Sequence, residues 1–351
     1  MVVLAEQVTL AGYTTLRLGG PARRFAEAVT TDELVGEIRM ADRRGEPVLV
    51  LGGGSNLVIS DDGFDGTVVH VATRGVDVLG DGVLRAQAGE EWEPFVDRCV
   101  RAGLAGVECL SGIPGRLGAT PIQNVGAYGQ DVSETIIEVR AYDRATDTIV
   151  SLDRAACGFT YRNSVFKGSD RYVVLDVTFA LDESAESAPI KYAELARILG
   201  VAPGERVPLA AARAAVLDLR RRKGMVIDPA DPDTRSAGSF FTNPILDADQ
   251  LTDLEKRVAE RLGGDARFPR YAEPDGRTKT SAAWLIERAG FAKGHAHGPA
   301  RISTKHTLAL TNPGGARTAD LLDLAREVRD GVRAAFGVEL VNEPVLVGVR
   351  L

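Results

Sequence analysis

The sequence predicts an α+β protein assembled from several pieces, and three stretches carry that prediction. A continuous apolar run, Pro47–Leu51, reads as a buried strand; it enters Gly52-Gly53-Gly54-Ser55-Asn56 and leaves into a second strand-like run, 57–60. A longer stretch, 103–131, holds seven glycines and two prolines, so it is no regular element, yet its apolar residues mark it as buried. Three helical patterns then fill the last third, near 247–262, 280–289 and 318–336.

The elements follow in order. Residues 14–29 read as strand or loop around Gly19-Gly20-Pro21. A helix begins after Thr30, with Glu33 completing a capping box, and runs to Gly45. The first glycine loop lies between two strands, whereas a dinucleotide-binding turn requires a helix after it. It can still bind phosphate through successive backbone N–H groups, or be a plain turn. Residues 76–88 form a hairpin, and 90–103 an amphipathic helix with Trp92, Phe95, Val96 and Cys99 on one face. Strands alternate from Glu134 to Ala180, interrupted by Tyr161–Lys167, and Leu209–Arg222 is helical. In the last third, Thr318 is the expected N-cap, Gly337 the C-terminal glycine, and 345–351 the closing strand.

Composition narrows the function. The 351 residues are 44% apolar and 26% charged, ordinary for a globular chain, with a net charge of −7. That balance argues against a nucleic-acid footprint. Three scattered cysteines, Cys99, Cys109 and Cys157, fit neither a disulfide framework nor a zinc site. The N-terminus lacks the pattern of a signal peptide, and no apolar run reaches membrane-spanning length. The expectation is a cytoplasmic monomer acting on a small molecule, without nucleic acid or membrane.

Several residues have two readings. Ser239, in Gly-Ser-Phe-Phe, is a satisfied structural hydroxyl or a proton donor in a dry pocket; no G-x-S-x-G elbow exists to make it a hydrolase nucleophile. Arg162 is a surface cation or a carboxylate clamp. Glu343, before the last strand, is solvated or aimed into a cleft. His295 and His297, with His306 near, look like half a metal site, but no acidic residue or cysteine at ligand spacing completes it, so no metal is expected. Arg220–Lys223 is a solvated helix end or meets a diphosphate. The 103–131 stretch itself is a set of tight turns or a cofactor cradle.

LGGGSNLVISD, SGIPGRLGATPIQNVGAYGQD, YRNSVFKG, SAGSFFTNP, SAAWLIERAGFAKG and NEPVLVG occur in this order across most of the chain. In these motifs it resembles the bacterial UDP-N-acetylenolpyruvoylglucosamine reductase (MurB) family. The resemblance implies a three-domain FAD-binding fold of the vanillyl-alcohol-oxidase/PCMH type: residues 1–75 completed by 340–351, residues 76–226, and a C-terminal substrate-binding domain at 227–339. It implies non-covalent FAD, NADPH as co-substrate, and reduction of the enolpyruvyl ether of UDP-N-acetylenolpyruvoylglucosamine to UDP-N-acetylmuramate, a step of peptidoglycan precursor synthesis.

Carried over by motif, Gly52, Gly53, Gly54, Ser55 and Asn56 would cradle the FAD diphosphate, and Ile113, Thr120, Asn124 and Gly126 would pack on the flavin and its linker. Ser239 would protonate the substrate carbon, while Arg162 and Glu343 polarise its carboxylate. Tyr192, Lys223, Asn243 and Arg288 fall at substrate-contact positions, Arg288 where the family pattern has glutamine. His70 is expected to lie far from the glycine loop. An FAD-dependent sugar or hydroxy-acid oxidase would share both glycine loops without needing Ser-Phe-Phe or Asn-Glu-Pro. A nucleotide-sugar sensor would keep the fold without needing Ser239, Arg162 and Glu343.

Overall fold

Strand Tyr172–Ala180 is buried along almost its whole length, which its β-branched and aromatic content suits. It sits in the middle of a five-stranded antiparallel sheet, ordered Thr148–Asp153, Ile136–Asp143, Tyr172–Ala180, Val83–Gln87 and Val76–Gly80. The apolar face predicted for residues 90–103 becomes helix α2, Trp92–Arg101, after α1, Thr31–Arg43. The rings of Trp92 and Phe95 pack on Phe179 of the central strand at 6.1 and 5.1 Å. The structure, a computed structural model, describes residues 3–351, which group into two compact units. This sheet belongs to the first unit, made of Ala22–Gly54 and Asp65–Val226 with the N-terminal strand up to Val8.

The first unit also contains α3 (Ala193–Leu199), α4 (Leu209–Arg222) and most of a four-stranded sheet, ordered Val3–Thr9, Pro21–Ala28, Phe64–Val71 and Val48–Leu51. The N-cap of α1 forms as its sequence predicts, with Thr30 Oγ1 accepting from the Glu33 N–H at 3.2 Å. Glu33 reaches back to the Val29 N–H, one residue before the N-cap that a full capping box would use. Two further expectations need correction. Val48–Leu51 is an edge strand, not a buried one: Leu51 is buried but Val50 is 36% exposed, because the strand has a partner on one side only. His70 is not remote from the glycine loop. Parallel pairing of Val48–Leu51 with Phe64–Val71 sets His70 opposite Leu51, the residue before Gly52.

The second unit comprises Thr9–Pro21, Ser55–Phe64 and Ile227–Leu351. Its core gathers Phe240, Phe241, Trp284, Phe336 and the apolar face of α7 (Thr318–Phe336), with α5 (Ala248–Leu262) and α6 (Ala282–Arg288) packed around it. Leu57–Ile59 pairs in parallel with Val345–Val347, a shorter closing strand than 345–351, so residues 340–351 lie in this unit. Gly337 ends α7 in the left-handed region, at φ 71°, as expected.

The other end of α7 differs from expectation. Thr318 is already helical, and its hydroxyl donates to Ile59 O at 2.6 Å instead of capping. The N–H groups of Thr318 and Ala319 are met by the Asp61 carboxylate, at 2.8 and 3.1 Å. Asp320 takes the Arg317 N–H locally at 2.8 Å, while the acceptors for the next two N–H groups come from a residue more than 250 positions away in sequence, which no local pattern can reveal. Among the described residues no helix is long and apolar enough to cross a membrane. Asp61→Ala should lower the stability of the second unit by about 1 kcal/mol, the usual worth of an N-cap. Its urea midpoint and amide exchange in the first turn of α7 would register the loss.

Candidate active site

The glycine-rich stretch is built by backbone pairing. Leu117 N–H donates to Glu90 O, Gly118 N–H to Ala88 O and Trp92 N–H to Gly115 O, so residues 115–118 run against 88–92. The Trp92 indole N–H donates to Leu110 O at 3.0 Å. Close packing requires several of the glycines. A Cβ on Gly118 would stand 2.4 Å from that of Ala88, and one on Gly53 would stand 2.7 Å from the Gly115 Cα. The two glycine segments, more than 60 residues apart in sequence, thus meet backbone to backbone within the first unit.

Polar residues inside the stretch divide into those that are spent and those that are not. Asn124 Nδ2 donates to Thr160 O and its Oδ1 accepts from the Ser133 N–H, while the Thr120 hydroxyl donates to Leu117 O. These two side chains hold the loop. Glu108, fully buried, accepts from the N–H groups of Gly106 and Ala188 and from Gln130 Nε2, a structural anion that the sequence reading missed. Arg220 is the opposite case. It is only 7% exposed, not the solvated charge of a helix end. Nη2 donates to Met225 O, but Nε has no hydrogen-bond partner and no carboxylate pairs with the guanidinium among the described residues. Burial pushes its guanidinium below its ordinary proton affinity.

Arg162 is placed by the same stretch. Its backbone has φ 51°, a conformation an arginine adopts only when its surroundings impose it, and Asn124 and Tyr128 share that region at 46° and 50°. Its guanidinium donates to Asn124 O at 3.1 Å, to Gly126 O at 2.5 Å and to Asp131 at 3.3 Å. Lys167 Nζ donates to Arg162 O at 2.8 Å and closes the Tyr161–Lys167 turn. A Cβ on Gly126 would fall on the Asp131 carboxylate and against Arg162 Nη1, so glycine is required there to seat this cation. Asp131 as a partner was missed; only the fold brings it to Arg162.

Ser239 and Glu343 lie in the second unit on two extended segments that touch through an isolated bridge. Phe241 pairs antiparallel with Asn342, and the Glu343 N–H donates to Phe240 O at 2.8 Å. Gly238, at φ 74°, turns the chain into Ser239, whose hydroxyl makes no hydrogen bond among the described residues. The structural-hydroxyl reading therefore loses its ground. Asn56 ends the first glycine loop in the same unit: Val345 N–H donates to Asn56 O at 2.9 Å, and Asn56 Nδ2 reaches Glu343 O at 3.5 Å.

Of the four expected substrate contacts, two fall in each unit. In the first, Tyr192 packs edge-on against Tyr128 at 5.5 Å, and Lys223 pairs with Glu194 at 3.1 Å while lying 5.8 Å from the Tyr128 ring. In the second, Asn243 Oδ1 accepts from the Ala282 N–H at the start of α6, and exposed Arg288 lies 5.9 Å from the Trp284 ring. The two paired histidines do find an acidic residue, from α7: Glu327 bonds His295 at 2.9 Å and His297 at 2.7 Å. Among the described residues no group of three His, Cys, Asp or Glu is arranged to hold a metal. Cys99, Cys109 and Cys157 are free and buried, and burial pushes the thiols of Cys99 and Cys157 up to about 12.

Comparison with known proteins assigns the family. An FAD-binding-domain model matches residues 22–153, and the model of the C-terminal domain of UDP-N-acetylenolpyruvoylglucosamine reductase matches 229–347. The chain is 64% identical to the UDP-N-acetylenolpyruvoylglucosamine reductase of Thermobifida fusca over 99% of both chains. The chain belongs to the UDP-N-acetylenolpyruvoylglucosamine reductase family. It is 62% identical to the reductase of Streptomyces avermitilis over 97% of its length and 94% of the relative. The crystal structure of the Thermus caldophilus reductase superposes with a TM-score of 0.69 at 26% identity, covering 99% of this chain and all of that one.

The residues present fit the FAD of this reductase family. Gly52, with only ordinary contacts on the protein side, leaves backbone open to a ligand beside the second glycine segment, and Arg220 is a buried cation with an unmet donor, which an anionic or carbonyl-rich ligand would satisfy. His70, opposite Leu51 at the entry to the first glycine loop, is 8% exposed, with Nδ1 3.0 Å from Glu27. Burial dominates over Glu27 and holds its proton affinity below the ordinary value of 6.5. The unfolded chain then binds the extra proton between the depressed value and 6.5, so stability is full above 6.5 and falls as pH drops through that window. Urea midpoints of the apoprotein measured from neutral to mildly acidic pH should decline less steeply for His70→Gln than for the wild type.

Proposed function

We propose that Ser239 is the proton donor, Arg162 the carboxylate clamp and Glu343 a second polar contact in the reduction of UDP-N-acetylenolpyruvoylglucosamine. The chain is an FAD-dependent oxidoreductase of this family, which uses NADPH and yields UDP-N-acetylmuramate for peptidoglycan. The observation that carries the assignment of Ser239 is its uncommitted hydroxyl, next to Phe240, whose carbonyl accepts from the Glu343 N–H. Bound FAD, held non-covalently, supplies the two-electron transfer from NADPH to the carbon–carbon double bond.

The chain's own part is binding and proton delivery. The carbon beside the substrate carboxylate must gain a proton when the methylene carbon gains the two electrons and a hydrogen. A serine hydroxyl is a weak acid, so it can deliver that proton only where the negative charge developing on the carboxylate side is stabilised. Arg162 is suited to this because three contacts fix its planar fork before substrate arrives, which removes the cost of ordering it later. Phe240 and Phe241, both 1% exposed, make the wall beside Ser239 apolar.

In this reading Gly52–Asn56 cradle the FAD diphosphate through backbone N–H groups, and Ile113 and Gly126 lie along the flavin. Thr120 and Asn124, whose side chains hold the loop, contribute backbone. Residues 76–226 act as the second FAD-binding subdomain and 227–339 as the substrate domain. Tyr192 and Lys223 take the nucleotide end of the substrate, joined by Asn243 and Arg288. On this reading the protein is a cytoplasmic monomer, and its acidic balance supports the absence of a nucleic-acid partner.

The assignment is tested in one anaerobic titration. NADPH should bleach the flavin bands, and the enolpyruvyl UDP-sugar should restore them; recovery only on admitting air would mean an oxidase. In Ser239→Ala the first step should survive, and the second should slow by about 10²- to 10⁴-fold. Arg162→Lys, which cannot reproduce three contacts and a bidentate fork, should lose about 10²-fold or more in kcat/KM for the sugar while NADPH still reduces the flavin. Equal loss of both half-reactions in either variant would remove that residue from its proposed role.

A further inference from the structure

One charged side chain stands where the two glycine segments meet, and neither proton delivery nor substrate binding uses it. Arg116 packs its stem on the first loop: a Cβ on Gly52 would lie 3.4 and 3.5 Å from its Cβ and Cγ. Its side chain is 16% exposed. Nη1 donates to Gly89 O at 3.3 Å and to the Glu91 carboxylate at 3.0 Å. Glu91 is a shared and weak partner, because it is 55% exposed and also pairs with Arg74 at 3.4 Å. Arg74 in turn reaches Glu90 at 3.5 Å. Arg116 Nε is fully buried and has no hydrogen-bond partner. A buried donor left unmet is costly, and few such groups occur in folded proteins without a ligand, ion or water to receive them. His70, opposite Leu51 at the entry to the same loop, is engaged with Glu27 at 3.0 Å.

A guanidinium whose stem lies on a glycine loop and whose Nε is unmet suits an acceptor with several anionic oxygens, since it binds phosphate through paired N–H groups. We infer that Arg116 is a phosphate-binding residue of this protein, donating to the diphosphate of FAD beside Gly52 and Gly53. This rests on the reading of Gly52–Asn56 as the diphosphate cradle. The loop supplies neutral backbone donors and Arg116 adds the charge, so it sets how strongly FAD affinity depends on salt.

The test is equilibrium titration of apoprotein with FAD, and with riboflavin as the phosphate-free control, followed by flavin fluorescence over a salt series. Arg116→Met should weaken FAD about 10- to 100-fold and flatten the salt dependence, leaving riboflavin affinity as in the wild type. Arg116→Gln, which can still donate to Gly89 O, gives the same readout should the methionine variant not fold. Wild-type FAD affinity and salt slope in these variants, or equal losses for FAD and riboflavin, would overturn the assignment. Gly52→Ala reports on the loop separately, because its new Cβ meets only ordinary contacts within the protein. Loss of FAD binding in Gly52→Ala with none in the Arg116 variants would keep the cradle and remove Arg116 from it. The reverse would keep Arg116 as the phosphate ligand and place the cradle elsewhere.

Discussion

Contact between two backbones, with no side chain between them, is the constraint on which the first unit depends. Gly53 faces Gly115 so closely that it cannot carry a Cβ, and Gly118 meets Ala88 in the same way. These approaches fix the glycine-rich stretch against the start of α2, and the stretch then presents the carbonyls of Asn124 and Gly126 to Arg162. The Arg162 cation is thus seated by backbone oxygen and one carboxylate. Such a seat moves little, because each acceptor belongs to a segment locked by its own pairing.

The glycines therefore serve two purposes that their sequence pattern does not distinguish. Some are small because protein packs on them, as at Gly118; others, such as Gly52, meet only loose contacts on the protein side. The second kind leaves room for a ligand. Unmet donors at Arg116 and Arg220 occur in or against the same two segments. A dense polar framework of neutral peptide groups with a few buried cations suits a ligand with a diphosphate and a hydrogen-bonding ring system.

Stability and chemistry use the polar side chains of this chain differently. Asn124, Thr120 and Glu108 are consumed by loop hydrogen bonds, although two of them sit at positions the family resemblance gives to cofactor contact. Ser239 makes no such bond. A hydroxyl that no neighbour claims can present its proton outward, whereas one that bonds a carbonyl must break that bond first.

By itself the sequence determined the family and the helix ends that are set by local residues. Thr30 with Glu33, and Gly337 in the left-handed region, act over one or two turns, so their meaning is complete in the chain. Only the tertiary structure decided what distant segments supply to one another. Asp61 meets the first N–H groups of α7 from the turn after Leu57–Ile59, Asp131 pairs with Arg162, and parallel strand pairing sets His70 opposite Leu51 at the entry to the glycine loop. Arg220 reads as a solvated end of a charge run and is buried, because burial depends on what packs over a helix end, and a helix end cannot state that. Local hydrogen bonds are written in neighbouring residues; desolvation and long-range pairing are properties of the folded chain.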